Sequence, residues 1–96
     1  MPYIKQEERT EYDATVDLLV EKLTEHGSNT TPQPGHVNYV VSRMLWGILK
    51  KNGMSYTRAN NLIGALECIK LEMYRRLLAD YEDDAMKRNG DVNCSL

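Results

Sequence analysis

The stretch that decides the fold runs from Thr57 to Arg88 and reads TRANNLIGALECIKLEMYRRLLADYEDDAMKR. It contains no proline, and its single glycine lies near its beginning. Apolar side chains recur along it at spacings of three and four residues, which is typical of one face of an α-helix. That line consists of Leu62, Ile63, Leu66, Ile69, Met73, Leu77 and Tyr81. The pattern predicts one long C-terminal helix.

The predicted long helix exceeds what a small domain can cover. At about 1.5 Å per residue it measures roughly 48 Å, whereas a compact domain of this size is roughly 30–35 Å across. A second apolar line of Cys68, Leu71 and Leu78 widens its face beyond the width that one neighbouring helix covers. We therefore expect other copies of the chain to complete the core, as a dimer or a tetramer.

Composition restricts the class of protein. The 96 residues suit a single domain, residues 1–96, and 42 per cent hydrophobic with 27 per cent charged residues is typical of a soluble globular protein. The net charge of −2 argues against a coat for duplex nucleic acid, because phosphate contacts need a basic excess. No apolar run is as long as a membrane span, and the N-terminus has no signal segment. We expect a cytoplasmic protein that binds neither a membrane nor duplex nucleic acid.

The cysteines and histidines predict neither a disulfide nor a metal site. Cys68 lies in the predicted long helix and Cys94 lies among the last three residues, so two free thiols in a reducing cytoplasm are the simpler interpretation. His26 and His36 form no four-ligand zinc pattern with these cysteines. We expect no metal and no cofactor.

A first helix precedes a proline-containing loop. Thr10, with Asp13 three residues later, is typical of a capped helix start, and the apolar face that follows predicts a helix from about Glu11 to Glu25. Two prolines and two glycines then predict a loop over Gly27–Gly35. This loop is either a plain connection or a flap over a site.

A second helix leads into the long one. Residues 36–52, HVNYVVSRMLWGILKKN, carry a broad apolar stripe, and Gly53 ends it. Ser55 or Thr57 can cap the long helix, and Asn89-Gly90 can end it before the tail 89–96. We predict an all-α fold, a small three-helix domain with one long C-terminal helix that homo-oligomerisation completes.

No residue pattern typical of catalysis occurs in the chain. The sequence has no P-loop, no dinucleotide-binding glycine motif and no nucleophile elbow. The acidic run Glu82, Asp83 and Asp84 is typical of a solvated helix end rather than of a metal site. We expect a protein that is not an enzyme.

Two clusters of side chains suit the binding of a nucleotide. The first, Asn38, Tyr39 and Arg43, lies in and after the first turn of the second predicted helix, where backbone N–H groups favour anions. The second lies in IKLEMYRR on the long helix and consists of Lys70, Tyr74, Arg75 and Arg76. An arginine fork beside a tyrosine ring combines donors for phosphate with a stacking surface for a base.

Intrahelical ion pairs explain the charges of the second cluster equally well. Glu72 precedes Arg75 by three residues and Arg76 by four, and Glu67 precedes Lys70 by three. Opposite charges at these spacings are neighbours on a helix surface. Spacing alone therefore leaves both interpretations open.

Three segments resemble a family of small phage and bacterial proteins. The segments are MPYIKQEER, HVNYVVSRM and ALECIKLEMYRRLLADYEDDAMKRNGDV. Members open with a Met-Pro-Tyr-Ile segment and close with Lys-Leu-Glu-x-Tyr-Arg-Arg followed by Asn-Gly-Asp-Val. The likeness covers most of the chain apart from Gly27–Pro34 and the terminal NCSL. This family in turn resembles the phage anti-CBASS sponges, small oligomers that bind cyclic oligonucleotide messengers and keep them from immune effectors.

The resemblance implies that the chain sequesters cyclic dinucleotides without turning them over. The positions that match the motifs are then the ligand-binding residues: Tyr3, Lys5, Asn38, Tyr39, Arg43, Tyr74, Arg75 and Arg76. By this resemblance Tyr3 or Tyr39 would stack on a base, and Asn38 would donate to a base edge or a phosphate. Phosphate would be neutralised by Lys5, Arg43 and Arg75.

Two other functions fit the same residues. The chain can be a helical structural or interaction module that docks another protein through its long helix. It can also be a small nucleic-acid-binding regulator, whose binding would fall steeply with added salt.

Overall fold

The computed structural model of the chain describes residues 2–25 and 33–93. Every regular element in these residues is helical, which confirms the all-α prediction. The elements are α1 (Gln6–Arg9), α2 (Asp13–Glu25), α3 (Pro34–Asn52), α4 (Tyr56–Met73), a π-helical turn (Tyr74–Leu78) and α5 (Ala79–Asn89). The last three follow one another without a break, and together they are the long helix, Tyr56–Asn89. Most of the predicted loop or flap, with His26 and Cys94, lies outside the described residues.

The chain divides into two compact units. The first, Pro2–Leu62, holds α1, α2, α3 and the beginning of α4, and the second, residues 63–93, holds the rest of the long helix and the segment after it. No described residue of either unit is buried. Within each unit, residues far apart in sequence rarely lie close together. Apolar side chains therefore lie at the surface of both units, and homo-oligomerisation stays a prediction.

The structure has a short N-terminal helix, α1, in addition to the three helices that we predicted. Residues 6–9 form the single turn α1, and the hydroxyl of Thr10 donates to the carbonyl of Glu7 at 3.1 Å. The Nε of Arg9 also donates to the carbonyl of Ile4 at 2.9 Å. The prediction that Thr10 caps the next helix is wrong, because its side chain closes the preceding turn instead. Within the described residues α2 runs from Asp13 to Glu25.

α3 begins two residues before the predicted start and ends where we predicted. Pro34 occupies its first turn, a position where the missing N–H costs nothing and the fixed φ suits a helix. The predicted loop therefore ends earlier, and Asn38 and Tyr39 lie beyond the first turn, which corrects their predicted place. Gly53 ends α3 with φ +92°, a conformation that L side chains rarely adopt.

Local hydrogen bonds hold both ends of the long helix. The Oγ of Ser55 accepts the backbone N–H of Arg58 at 3.1 Å, so Ser55 rather than Thr57 is the cap. The side chain of Arg58 also donates to the carbonyl of Gly53 at 3.2 Å. At the other end Gly90, with φ +89°, donates its N–H to the carbonyl of Met86 at 2.8 Å. The C-cap prediction at Asn89-Gly90 is confirmed.

The π-helical turn aligns the apolar stripe of the long helix. There the N–H of Ala79 donates to the carbonyl of Tyr74, five residues back instead of four. In an α-helix, two residues that are four positions apart differ by about 40° in their direction around the helix axis. Apolar residues recur at this spacing four times in succession, at Ile69, Met73, Leu77, Tyr81 and Ala85. In a regular α-helix the last of them would therefore point about 160° away from the first. One extra residue in the π turn takes back about 100° of this drift. Met73, Leu77 and Tyr81 consequently stay near one face.

Replacement of Ser55 by alanine tests the cap. The change leaves the N–H of Arg58 without its side-chain acceptor, so we expect the free energy of unfolding to fall by about 1 kcal/mol. Thermal denaturation followed by circular dichroism measures the change. Thr57→Ala, at the other position that the sequence offered, is the matched control and should alter stability by less than about 0.5 kcal/mol. Equal losses in the two variants would contradict the assignment of the cap to Ser55.

Candidate functional site

An open groove lies between α2 and α3 in the first unit. It has a volume of about 460 Å³, which lies within the roughly 300–1,000 Å³ range of small-molecule sites. Each helix contributes side chains one turn apart. The lining residues are Leu19, Lys22, Leu23, Gly35, His36, Tyr39 and Val40. The walls are mainly apolar, and Lys22 and His36 add nitrogen donors.

The groove combines an aromatic ring with a lysine and the N-terminus of a helix. Tyr39 is 64 % exposed, so its ring is accessible to a stacked partner. Lys22 lines the same groove and forms an ion pair with Glu25, whose carboxylate oxygen is 3.9 Å from its Nζ. Gly35 and His36 belong to the first turn of α3, which holds no acidic side chain. Helix N-termini favour anions, so this end of the groove suits a negatively charged group.

The structure places one member of the first predicted cluster in the groove. Tyr39 lines it, whereas Asn38 and Arg43 lie on α3 and are not among the lining residues. The Oδ1 of Asn38 accepts the hydroxyl of Ser42 at 3.3 Å. Arg43 lies one turn after Tyr39 on the same continuous helix, as the spacing predicted. Its exposed side chain can therefore reach the rim of the groove from the side of Tyr39.

The N-terminal candidates precede α1. Tyr3 and Lys5 lie in the non-helical segment that leads into α1, and neither lines the groove. Lys5 is the residue directly before the first helical turn, and Tyr3 is 45 % exposed. They belong to the same unit as the groove. Their roles toward a ligand stay predictions.

The second predicted cluster occupies the π-helical turn. Tyr74, Arg75 and Arg76 are its first three residues, in the second unit of the chain. The guanidinium of Arg75 binds both carboxylate oxygens of Glu72, with Nε at 3.2 and 3.3 Å and Nη2 closer still to Oε1. The Nζ of Lys70 lies 2.9 Å from a carboxylate oxygen of Glu67. Two of the predicted intrahelical ion pairs are confirmed.

These ion pairs bear on how the cluster can bind a phosphate. A phosphate that approaches Arg75 has to displace Glu72 from the guanidinium group or share that group with it. The negative charge of Glu72 also repels the phosphate. The first turn of α3 holds no acidic side chain, and on α2 Lys22 is paired with Glu25 at 3.9 Å. The first turn of α3 is therefore the part of the groove where no acidic side chain of the same turn opposes an anion.

Sequence reasoning missed Lys22 and His36. The spacing of residues could have identified both. One triplet at positions i, i+3 and i+4 precedes the predicted loop and consists of Leu19, Lys22 and Leu23. A second triplet with the same spacing follows it and consists of His36, Tyr39 and Val40. Such triplets lie on one helix surface. The connection between α2 and α3 is short enough for the two triplets to face each other, but only the tertiary arrangement shows that they do.

Other kinds of site were also sought in the part of the chain that the structure describes: metal sites, membrane-spanning helices, further depressions and exposed thiols. No three metal-ligating side chains there lie close enough together to hold a metal ion, and no helix there is long and apolar enough to cross a membrane. Glu82, Asp83 and Asp91 line a shallow acidic depression at the end of α5, which repels an anion. Cys68 is exposed on the long helix.

Comparison with known families reaches almost the full length of the chain. The model of a family described as a domain of unknown function, DUF6899, matches residues 1–92. The chain belongs to the DUF6899 family. No curated protein and no solved structure matches it. The matched range of this DUF6899 chain includes the groove and both candidate clusters. Because the family description names no function, a functional proposal has to rest on the geometry of these sites.

A double-mutant cycle on Glu72 and Arg75 measures how firmly the pair holds. Arg75 is 69 % exposed at its side chain and Glu72 is 23 % exposed, so water screens their attraction. We expect Glu72→Ala, Arg75→Ala and the double variant to give a coupling energy of no more than about 0.5 kcal/mol in urea denaturation. A coupling several times larger would mean that Arg75 is committed to this pair and unavailable to a ligand.

Proposed function

We propose that this DUF6899 protein is a phage anti-defence sponge. It binds cyclic oligonucleotides, above all cyclic dinucleotides, and withholds them from the immune effectors that they activate in the host cytoplasm. The observation that supports the proposal is the groove between α2 and α3, where an exposed tyrosine ring, a lysine and a helix N-terminus meet. The resemblance to anti-CBASS sponges supplies the ligand class.

The groove provides both kinds of contact that a cyclic dinucleotide needs. A base stacks on Tyr39 and against the apolar wall of Leu19 and Leu23, an interaction that tolerates different bases. A phosphate lies toward Lys22 and the N–H groups of the first turn of α3, where charge-assisted hydrogen bonds are strongest. The ligand therefore lies along the groove, with its bases on the apolar wall and its phosphates at the α3 end.

The groove covers only one side of such a ligand, because it is open to solvent. A second chain that closes over it completes the site, which gives homo-oligomerisation a functional reason. In this proposal the other motif-matched residues contact the ligand as the resemblance implies; they are Tyr3, Lys5, Asn38, Arg43, Tyr74, Arg75 and Arg76. A ligand bound with a Kd near 1 nM has a binding free energy of about −12 kcal/mol, and a site closed by two chains could supply it.

Sequestration needs stoichiometric binding and no chemical step. The protein acts when its concentration exceeds that of the messenger and its affinity exceeds that of the effector. The side chains around the groove are suited to this role, since Tyr39, Lys22 and His36 bind and orient without forming an arrangement in which a base activates a nucleophile.

Substitutions in the groove test the binding site. We expect a cyclic dinucleotide at 100 times its Kd to stabilise the wild type by about 2.7 kcal/mol, which raises the melting temperature by about ten degrees or more. Tyr39→Ala and Lys22→Ala should each weaken binding at least about tenfold in calorimetry, because each removes one stacking or one charged contact. Linear nucleotides and a short RNA complete the ligand panel.

The matched controls lie outside the groove. Tyr56→Ala removes a tyrosine that is 83 % exposed at the start of α4, and Lys51→Ala removes a lysine from the last turn of α3. Both variants should bind as the wild type does. A flat melting profile with every cyclic nucleotide would sink the proposal for those ligands, and equal losses in the groove and control variants would sink this placement of the site.

The fate of the ligand separates a sponge from an enzyme. We expect a cyclic dinucleotide that has been incubated with the protein to be recovered intact after heat denaturation, because a sponge binds its ligand without a chemical step. Chromatography of the released ligand gives the answer. Linear or cleaved products at more than the level of a heated, protein-free sample would instead assign the protein to the nucleotide-degrading enzymes.

The exposed apolar side chains of the long helix favour a second candidate function. Leu71 and Leu78 are 56 % and 51 % exposed, which suits a module that docks another protein. In that case Leu71→Asp or Leu78→Asp abolishes partner binding in a pull-down, whereas Arg43→Ala and Arg75→Ala leave it nearly intact. The sponge predicts the opposite pattern for ligand binding.

A further inference from the structure

The apolar stripe of the long helix has no cover within its own unit. The second unit, residues 63–93, contains no other helix. Its large apolar side chains are exposed there, from 36 % at Leu66 to 63 % at Ile63. Helices owe most of their stability in proteins to packing of such a face. The face therefore needs a partner.

The charges of the long helix show what kind of partner fits. From Tyr56 to Arg76 the helix carries four basic and two acidic side chains, a net charge of +2. From Leu77 to Asn89 it carries four acidic and two basic side chains, a net charge of −2. The sign changes inside the π-helical turn. A helix charged in this way is complementary to a copy of itself that runs in the opposite direction.

We propose that the long helix pairs antiparallel with the long helix of a second copy, across a two-fold axis near Leu77. Residues 65–76 of each basic half, which have a net charge of +1, then lie along residues 78–89 in the acidic half of the other copy. A parallel pair would instead set like halves side by side, which is unfavourable. A two-fold pair of this kind is isologous, the commonest arrangement of homo-oligomers.

Individual positions agree with this axis. It sets Met73 opposite Tyr81, so apolar side chains of the stripe meet. It sets Lys70 opposite Asp84, with opposite charges facing each other. Glu72 would lie opposite Glu82, and the ion pair of Glu72 with Arg75 on its own helix offsets that approach.

The pairing also explains why the π-helical turn lies where it does. The turn keeps the stripe on one face on both sides of the axis, so both halves of the helix can contact the same partner. Without it the stripe would drift around the helix by about 40° at every spacing of four. The pairing does not depend on the proposed function, because it rests on the long helix alone and not on the groove.

Charge reversal in the full-length chain tests the orientation. Asp80→Lys with Asp84→Lys turns the acidic half to +2, and Lys70→Glu with Arg76→Glu turns the basic half to −2. Each double variant alone sets like charges together in an antiparallel pair, so we expect its dimer to be weaker than the wild type by on the order of tenfold or more. Analytical ultracentrifugation over a range of concentrations measures the dissociation.

Recombination of the changes separates antiparallel from parallel pairing. The quadruple variant, with both halves reversed, restores complementarity only in an antiparallel pair, so it should dimerise about as tightly as the wild type. Glu7→Lys with Glu8→Lys, which makes the same change of charge on α1, should leave the dimer intact. Circular dichroism checks that each variant is still helical.

Three results would overturn the pairing. They are a monomeric wild type at every concentration, a D80K/D84K variant that associates as the wild type does, and a quadruple variant that fails to associate. None of them bears on ligand binding in the groove, which calorimetry reports separately. Loss of ligand binding in a variant that still dimerises would conversely leave the pairing standing.

Discussion

Apolar side chains along the long helix have no second helix to pack against within residues 63–93. This constraint accounts for the π-helical turn and for the importance of the charges on either side of it. A helix with an uncovered stripe has to keep that stripe on one face if a single neighbour is to cover it. The π-helical turn does this at Tyr74–Leu78. The division of charge on either side of the same turn then determines which neighbour fits. Geometry and electrostatics of one element thus point to the same partner.

The groove in the first unit depends on a different, more local arrangement. Two triplets of side chains, one from α2 and one from α3, face each other where the chain returns after the loop. Pro34 starts α3 early enough for Gly35 and His36 to form its first turn beside Tyr39. A small shift in where this helix begins therefore decides which residues line the groove. By contrast, Arg75 in the π-helical turn is engaged with Glu72 of its own helix.

Much of the fold could be predicted from the sequence, because helix ends depend on local chemistry. Gly53 and Gly90 were predicted correctly since a glycine that follows an apolar periodic run adopts the positive φ that ends a helix. Ser55 was one of two candidates for the cap, and both have the necessary hydroxyl. Thr10 was misassigned because a threonine can close one turn as readily as it can begin the next.

The features that sequence reasoning missed are those that depend on more than a few neighbouring residues. The π-helical turn has no proline or glycine to mark it, and four successive spacings of four residues were its only trace. Lys22 and His36 lie on either side of the loop, so only the arrangement of α2 against α3 brings them to Tyr39. The intrahelical pairs of Glu67 and Glu72 were open from spacing alone, since a ligand could have taken the same cations.

The absence of any buried residue among those described has a consequence for abundance in the cell. A chain whose apolar faces are covered only on assembly gains its stability by mass action, so its melting temperature rises with its own concentration. Dilution then costs such a protein its fold as well as its partner. The proposed sequestration would demand many copies for a different reason, because each copy would retain its ligand instead of consuming it. One high level of expression would satisfy both requirements, and a low one would satisfy neither.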